Sequence, residues 1–359
     1  MQRELIPYLG TAYARGSARQ RELSAAQLTT RDAILRGDSV GDYEELACPC
    51  GAVVEEDILI AAVERHGLDC HNVICPACGL IRISPRWNQE RYGRFYEAEY
   101  RDLYNLVNAS KDEFVRFVAT LPHVKGFGAW IEAALARHGE ALMPPTVIEI
   151  GAGGGWNLAA LPKSWRKIGY DVDREYLAIA GASFDLEMRY GLLNDALDAV
   201  GTADAVILSH VVEHFHDPKQ AISTLAIRLK PSALLLIEVP GLFRIHRTAL
   251  DPMTFMQNAH TFTFCARTLA DACESASLEV LEIDETCRVV CRKSGTERSI
   301  MVHRGLTNRI LSYLRLCEIG FSYMLNLRKI PIAGRLLGTI WRRLYFPSLK
   351  FLVPKNNKQ

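Results

Sequence analysis

Between residues 146 and about 292, short apolar runs alternate with amphipathic segments: TVIEIG, WNLAAL, KIGYD, REYLAIA, DAVILSH, PKQAISTLAIRL and ALLLIEVP. Apolar runs this short, with no polar alternation, read as strands buried on both faces. The segments between them carry apolar residues at helical spacing. Strand-helix-strand alternation predicts an α/β layer, a parallel sheet with helices on both faces. Pro144-Pro145 breaks the chain ahead of this region, and residues 84–142 alternate aromatic and charged residues at helical intervals. Residues 1–45 are polar and Arg-rich with weak helical signals. The last stretch, 295–359, reads as two or three amphipathic helices. The expected organisation is a helical segment 1–45, a cysteine-bearing module 46–100, the α/β domain 101–294 and a helical extension 295–359.

Composition changes this picture little, since 49% hydrophobic and 23% charged residues are the balance of a globular chain and exclude wholesale disorder. Charge distribution changes it more. Residues 295–359 hold 12 Lys/Arg against 2 Asp/Glu, a net +10, which leaves −9 on the rest of a chain whose total is +1. A basic tail on an acidic body asks for a membrane surface or an anionic partner. There is no apolar run of about 18 residues for a membrane span and no apolar core near the amino end for a secretory signal. The expected location is the cytoplasm, with membrane association through the tail as a second reading. The ten cysteines are then expected to be thiols or metal ligands.

Five cysteines fall within 46–83. Cys48-Pro49-Cys50-Gly51 is followed by Cys75-Pro76-Ala77-Cys78-Gly79, with 24 residues between Cys50 and Cys75. Two close pairs on tight turns are what a tetrahedral four-thiolate zinc site needs, with Gly51 and Gly79 letting backbone amides face the sulfurs. Cys48, Cys50, Cys75 and Cys78 are the expected ligands. The first pair is tighter than usual, so a set with Cys70 in place of Cys48, or one that includes His71, stays open. Four thiolates leave no open position, so the zinc is expected to be structural.

The run VIEIGAGGGWNLAAL, 147–161, places a glycine-rich loop between a buried strand and a helix. A dinucleotide loop wants a third glycine where Trp156 stands, and a phosphate loop wants Gly-Lys-Ser/Thr, which is absent. Glu149-Ile150-Gly151-Ala152-Gly153-Gly154-Gly155 matches instead the acidic-x-Gly-x-Gly-x-Gly motif of S-adenosylmethionine binding, and a carboxylate beside the loop suits a cationic ligand. The next strand ends in Asp171, placed to accept ribose hydroxyls, with Asp173 a helix cap.

The segment 203–241 strengthens this. Asp204, Glu213-His214, Asp217-Pro218, Leu229-Lys230-Pro231 and the apolar run Leu234–Val239 resemble the fourth- and fifth-strand region of class I S-adenosylmethionine-dependent methyltransferases, with Ser232-Ala233 where Gly-Gly is usual. Together with 147–177 the resemblance spans roughly 140–150 residues. It implies a Rossmann-like sheet. It also implies donor contacts from Glu149, Gly151, Gly153, Gly155, Asp171, Asn194 and His210. The stretch 75–104 resembles methyltransferases that carry a zinc-ribbon-like cysteine knuckle before the core, some of which act on nucleotide-linked sugars. In the sugar-methylating members a His preceded by Tyr and Glu approaches the nucleophile. QNAHTFTF keeps it as His260 but holds Gln257 and Ala259 at the other two places, which speaks against carbon methylation of a keto-sugar. His260, His214 and His210 are the candidate bases.

His210-Val211-Val212-Glu213-His214 also fits an inverted zinc-protease pattern, disfavoured because it follows a strand rather than lying on a helix. It also resembles a metal-dependent O-methyltransferase subgroup, in which Glu213, His214 and His260 would hold a second divalent ion that acidifies a hydroxyl. In the tail, Leu306, Ile310, Leu314, Cys317, Phe321 and Met324 share a helical face beside Arg309, Arg315 and Arg328. Such helices either lie in a membrane interface, with Trp341 and Tyr345 at headgroup level, or pack on the methyltransferase domain as a substrate lid. No nucleic-acid recognition fold accompanies the charge. The expected function is methyl transfer to an oxygen of a sugar, glycan or related small molecule. The rival readings are a nucleotide-linked reductase or epimerase, and an inactive module that docks a partner at a membrane.

Overall fold

A computed structural model of the protein describes residues 7–14, 23–104, 111–140, 144–248 and 251–328. The chain divides into two compact units. The first gathers 1–105, 240–268 and 300–359, and the second 106–239 and 269–299.

The first unit begins with α1 (Ala25–Gly37), closed by a capping box in which Ser24 Oγ accepts from the Gln27 amide and Gln27 Oε1 from the Ser24 amide. Strands β1 (Tyr43–Glu44), β2 (Ile58–Val63), β3 (Asp69–Ile74), β4 (Ile81–Ile83) and β5 (Arg86–Trp87) follow. Then come α2 (Gln89–Arg94), a π-helical turn (Phe95–Glu99) and α3 (Tyr100–Tyr104). The second unit opens with α4 (Lys111–Thr120) and α5 (Pro122–His138). It then alternates through β6 (Thr146–Ile150), α6 (Trp156–Ala159), β7 (Arg166–Asp171), α7 (Arg174–Phe184), β8 (Glu187–Tyr190), α8 (Leu193–Val200), β9 (Ala205–Ser209), α9 (Pro218–Arg228) and β10 (Leu234–Glu238). The chain next supplies α10 (Ile245–Thr248) and β11 (Phe262–Thr263) to the first unit, runs through α11 (Ala266–Glu274), and completes the second with β12 (Leu278–Ile283) and β13 (Arg288–Lys293). It ends, among the described residues, in α12 (Leu306–Arg328).

The second unit is built on a seven-stranded sheet of order β12-β13-β10-β9-β6-β7-β8. Strands β6 to β10 are parallel, as the alternation predicts, and β13 lies antiparallel against both β10 and β12. The central strands are apolar but for Glu149 and the polar ends of β9 and β10: Val147, Ile148, Val206, Ile207, Leu208 and Leu234 to Ile237 are all buried. Strand β8 sits at the edge and is correspondingly polar and exposed. The predicted cap Asp173 accepts the Glu175 and Tyr176 amides at α7, and Asp217 likewise accepts the Gln220 amide at α9, with Pro218 in its first turn.

The first unit holds an antiparallel sheet of order β11-β4-β3-β2. Its apolar cluster joins Ile60, Ile74 and Ile81 of that sheet to Leu242, Met253 and Met256 and to Leu306, Ile310 and Leu314 of α12. The basic tail, as far as it is described, thus ends in one helix whose apolar face packs into the core of the first unit. Trp341 and Tyr345 lie outside the described residues. No helix among the described residues is long and apolar enough to cross a membrane.

Candidate functional site

In the second unit the chain leaves β6 in one direction, to β7, and later returns to the other side of β6 as β9. The carboxyl ends of β6 and β9 therefore flank a topological switch point, the crevice where open α/β sheets bind ligands. The glycine-rich loop Gly151–Gly155 stands there. Gly151 has φ +73°, and a Cβ on it would lie 2.5 Å from Val211 Cγ2 in the loop after β9, so no other residue fits without moving that loop. The amides of Gly151 and Ala152 both donate to the Tyr170 carbonyl, 2.8 and 2.9 Å, which folds the loop across the end of β7. Asp171 completes the turn: Oδ2 accepts the Gly153 amide at 2.7 Å and Oδ1 the Asp173 amide at 2.8 Å. Gly155 caps α6 in a left-handed conformation. Asn194 is exposed in the first turn of α8, just past the end of β8.

Glu149, on β6 immediately below the loop, is 1% exposed. Burial pushes its carboxyl up to about 8, and the charges of Asp171 and Glu238 act in the same direction. The Asn157 amide, donating to Oε1 at 2.7 Å, opposes the rise.

A second group stands at the ends of β9 and β10. His210 has a left-handed backbone, φ +55°, uncommon for a residue with a side chain, and its amide donates to the Glu238 carbonyl at 2.8 Å. Its imidazole, which stays more than half exposed, lies between two carboxylates, Nδ1 3.4 Å from Glu213 Oε1 and Nε2 4.0 Å from Glu238 Oε2. Surrounding protein pulls its pKa down, but the hydrogen bond and charge of Glu213 and the charge of Glu238 prevail and raise it. Glu238 in turn accepts from Arg288 Nε at 2.8 Å and Ser209 Oγ at 3.4 Å. Val212–His214 form a short 3₁₀ turn with Glu213 buried and His214 half-buried, rather than the regular helix that the protease pattern requires. His260 belongs to the first unit, ahead of β11, whereas His210, Glu213 and His214 belong to the second.

Glu238 and Arg288 were not singled out in the sequence. The available signal was weak: a charge ending the apolar run LLLIE, and an arginine whose opposition to it depends on the β10–β13 register.

In the first unit the sulfurs of Cys48, Cys50, Cys75 and Cys78 all lie within 4.8 Å of one another. Three separations are 3.4 Å (Cys50–Cys48), 3.5 Å (Cys48–Cys78) and 3.6 Å (Cys50–Cys75). A tetrahedron with metal–sulfur bonds of about 2.3 Å has edges of about 3.8 Å, so the four sulfurs fit a zinc ion. Cys70 is apart from this cluster, buried on β3 with the Asn72 side chain against it.

Residues 127–283 match the family model described as a methyltransferase domain. Among solved structures, the chain is similar to human N-acetylserotonin methyltransferase in complex with S-adenosylmethionine (14% identity, covering 57% of this chain and 61% of that one, TM-score 0.40). It is also similar to the Synechocystis magnesium protoporphyrin IX methyltransferase with bound S-adenosylmethionine (14%, 56% and 94%, TM-score 0.37). A third similar structure is an S-adenosylmethionine-dependent methyltransferase from Mesorhizobium loti (13%, 47% and 100%, TM-score 0.37). No curated protein matches the chain significantly. The matched segment, 127–283, carries the parallel strands and the loop at their switch point, and the seven-stranded sheet has the Rossmann-like fold of class I methyltransferases.

Proposed function

We propose that the protein transfers the methyl group of S-adenosylmethionine to an oxygen of a sugar, glycan or related small molecule. The observation that carries the donor half is the seating of Asp171. Its carboxylate is fixed by the Gly153 and Asp173 amides at the end of β7, one strand from the switch point, where it can accept ribose hydroxyls. Gly151, Gly153 and Gly155 leave bare backbone for the methionine portion, Glu149 supports the loop from below through its bond with Asn157, and Asn194 and His210 follow the ends of β8 and β9. The donor supplies an already activated methyl, so the task left to the protein is alignment and removal of a proton from an oxygen nucleophile. His210 and His214 are the base candidates on the second unit, and His260 the candidate on the first.

The acceptor class rests on the cysteine-knuckle resemblance of residues 75–104. Zinc held by Cys48, Cys50, Cys75 and Cys78 has a structural role in this reading, because four thiolates close its coordination.

Calorimetry with S-adenosylhomocysteine and with NAD tests the donor assignment. Binding of the sulfur nucleoside alone is expected, weakened by at least about 1 kcal/mol in Asp171→Ala through lost hydroxyl contacts. NAD binding without it would overturn the reading. Mass spectrometry of nucleotide-linked sugars and glycan precursors incubated with labelled donor tests the acceptor.

A further inference from the structure

Lys111 is the first residue of α4, a place where the helix dipole opposes a cation. Its Nζ is nevertheless held by three groups of the segment that follows β7. It lies 2.9 and 3.0 Å from the two Asp173 oxygens, 2.7 Å from Glu175 Oε2, and 4.6 Å from the centre of the Tyr176 ring. The Lys111 and Asp173 side chains are largely withdrawn from solvent, 17% and 14% exposed, so salt screens this pair less than a surface ion pair. Asp173 is the residue whose amide holds Asp171 Oδ1, while the other Asp171 oxygen holds the Gly153 amide. An unbroken chain of polar contacts thus runs from α4 to the glycine-rich loop.

A second, apolar set of contacts reaches the same loop. Val115 of α4 is buried, and its Cγ2 lies 2.7 Å from where a Cβ on Gly154 would stand, so the helix rests on bare backbone. Phe114 meets Trp156 edge-on at 6.4 Å, and Trp156 meets Tyr176 edge-on at 6.2 Å. Trp156, the residue that spoils a dinucleotide reading, is the aromatic hub joining α4, the loop and α7.

We propose that α4 is a donor clamp closed by Lys111, which acts as a positioning residue: it fixes Asp173, and through it Asp171 and Gly153, in the geometry that binds S-adenosylmethionine. The clamp rests on the assignment of the loop as the site of that donor. Three acids, Asp171, Asp173 and Glu175, crowd the end of one strand. A cation tying up the second and third leaves the first to the ribose hydroxyls.

The test is calorimetry with S-adenosylhomocysteine on the full chain and its Lys111→Met and Lys111→Arg variants, together with hydrogen exchange of α4 with and without the nucleoside. Lys111→Met is expected to weaken binding about tenfold and to abolish ligand-induced protection of α4. Lys111→Arg is expected to restore most of both, a rescue that simple loss of helix packing would not give. Should Lys111→Met fail to fold, Glu175→Gln, at an exposed position, is expected to weaken binding about two- to threefold with a shallower salt dependence than the parent. If the wild type binds and these variants match it in affinity and protection, the clamp is wrong and the donor assignment stands. If the wild type does not bind the nucleoside, both fall.

Discussion

Glu149 shows how far a single residue departs from what its type would suggest. In the unfolded chain its carboxyl titrates near its ordinary 4.5, and in the folded chain near 8. Between these values the folded state binds the extra proton, so the stability this group contributes is full below about pH 4.5 and is lost as pH rises towards 8, by up to about 1.4 kcal/mol per pH unit. Glu149→Gln removes that dependence. Thermal unfolding from pH 5 to pH 9 should show the wild type losing ground against the variant up to about pH 8 and levelling off above it, and parallel curves throughout would contradict the burial argument. At this scale the site was partly legible. Gly151 to Gly155 and Asp171 announce themselves because a loop of five residues and one strand end are local features. Lys111, Glu238 and Arg288 do not, since each acquires its role from a partner 50 to 64 residues away.

At the scale of elements, the knuckle and α12 form one piece. Thr307 Oγ1 donates to the carbonyls of Cys75 and Pro76, 2.9 and 3.1 Å, and the His303 amide donates to the Ala77 carbonyl at 3.0 Å. The start of α12 is tied to the turn that carries two sulfurs of the cluster. Purified protein should contain about one zinc per chain. A Cys75→Ser/Cys78→Ser protein should lose it, and hydrogen exchange should then quicken in α12 as well as around the knuckle. Zinc retained in full by the double variant would place the metal elsewhere. The parallel strands β6, β7, β9 and β10 were readable from their buried apolar runs, whereas β8, polar and exposed at the sheet edge, gave no such signal. The amphipathic face of α12 was equally plain, with Leu306, Ile310, Leu314 and Cys317 on one side. What that face covers was not, because amphipathicity fixes that a helix must be covered and not by what.

Whole-molecule organisation was the least legible level. A contiguous reading of the chain puts one domain after another, yet the first unit is assembled from three separate stretches, and 240–268 leaves and rejoins the α/β unit without any break in composition. Ending the chain before Leu306 would strip the cover from Ile60, Ile74 and Ile81. Such a protein is expected to aggregate and to be cut by protease within 58–83, as limited digestion with mass spectrometry would reveal. Unchanged solubility and resistance would mean that α12 contributes little to that core.

The knuckle's tie to α12 has a bearing on biosynthesis. A ribosome adding roughly 5–20 residues per second needs about 10–45 s to travel from the end of β4 to the start of α12. Throughout that interval β2, β3 and β4 have been made while the helix that shields them has not. All four sulfurs are in hand by Cys78. Zinc captured at that moment would pin the nascent hairpin in its final form, so its largest service would fall during translation, when the strands are most open to mispairing with other chains.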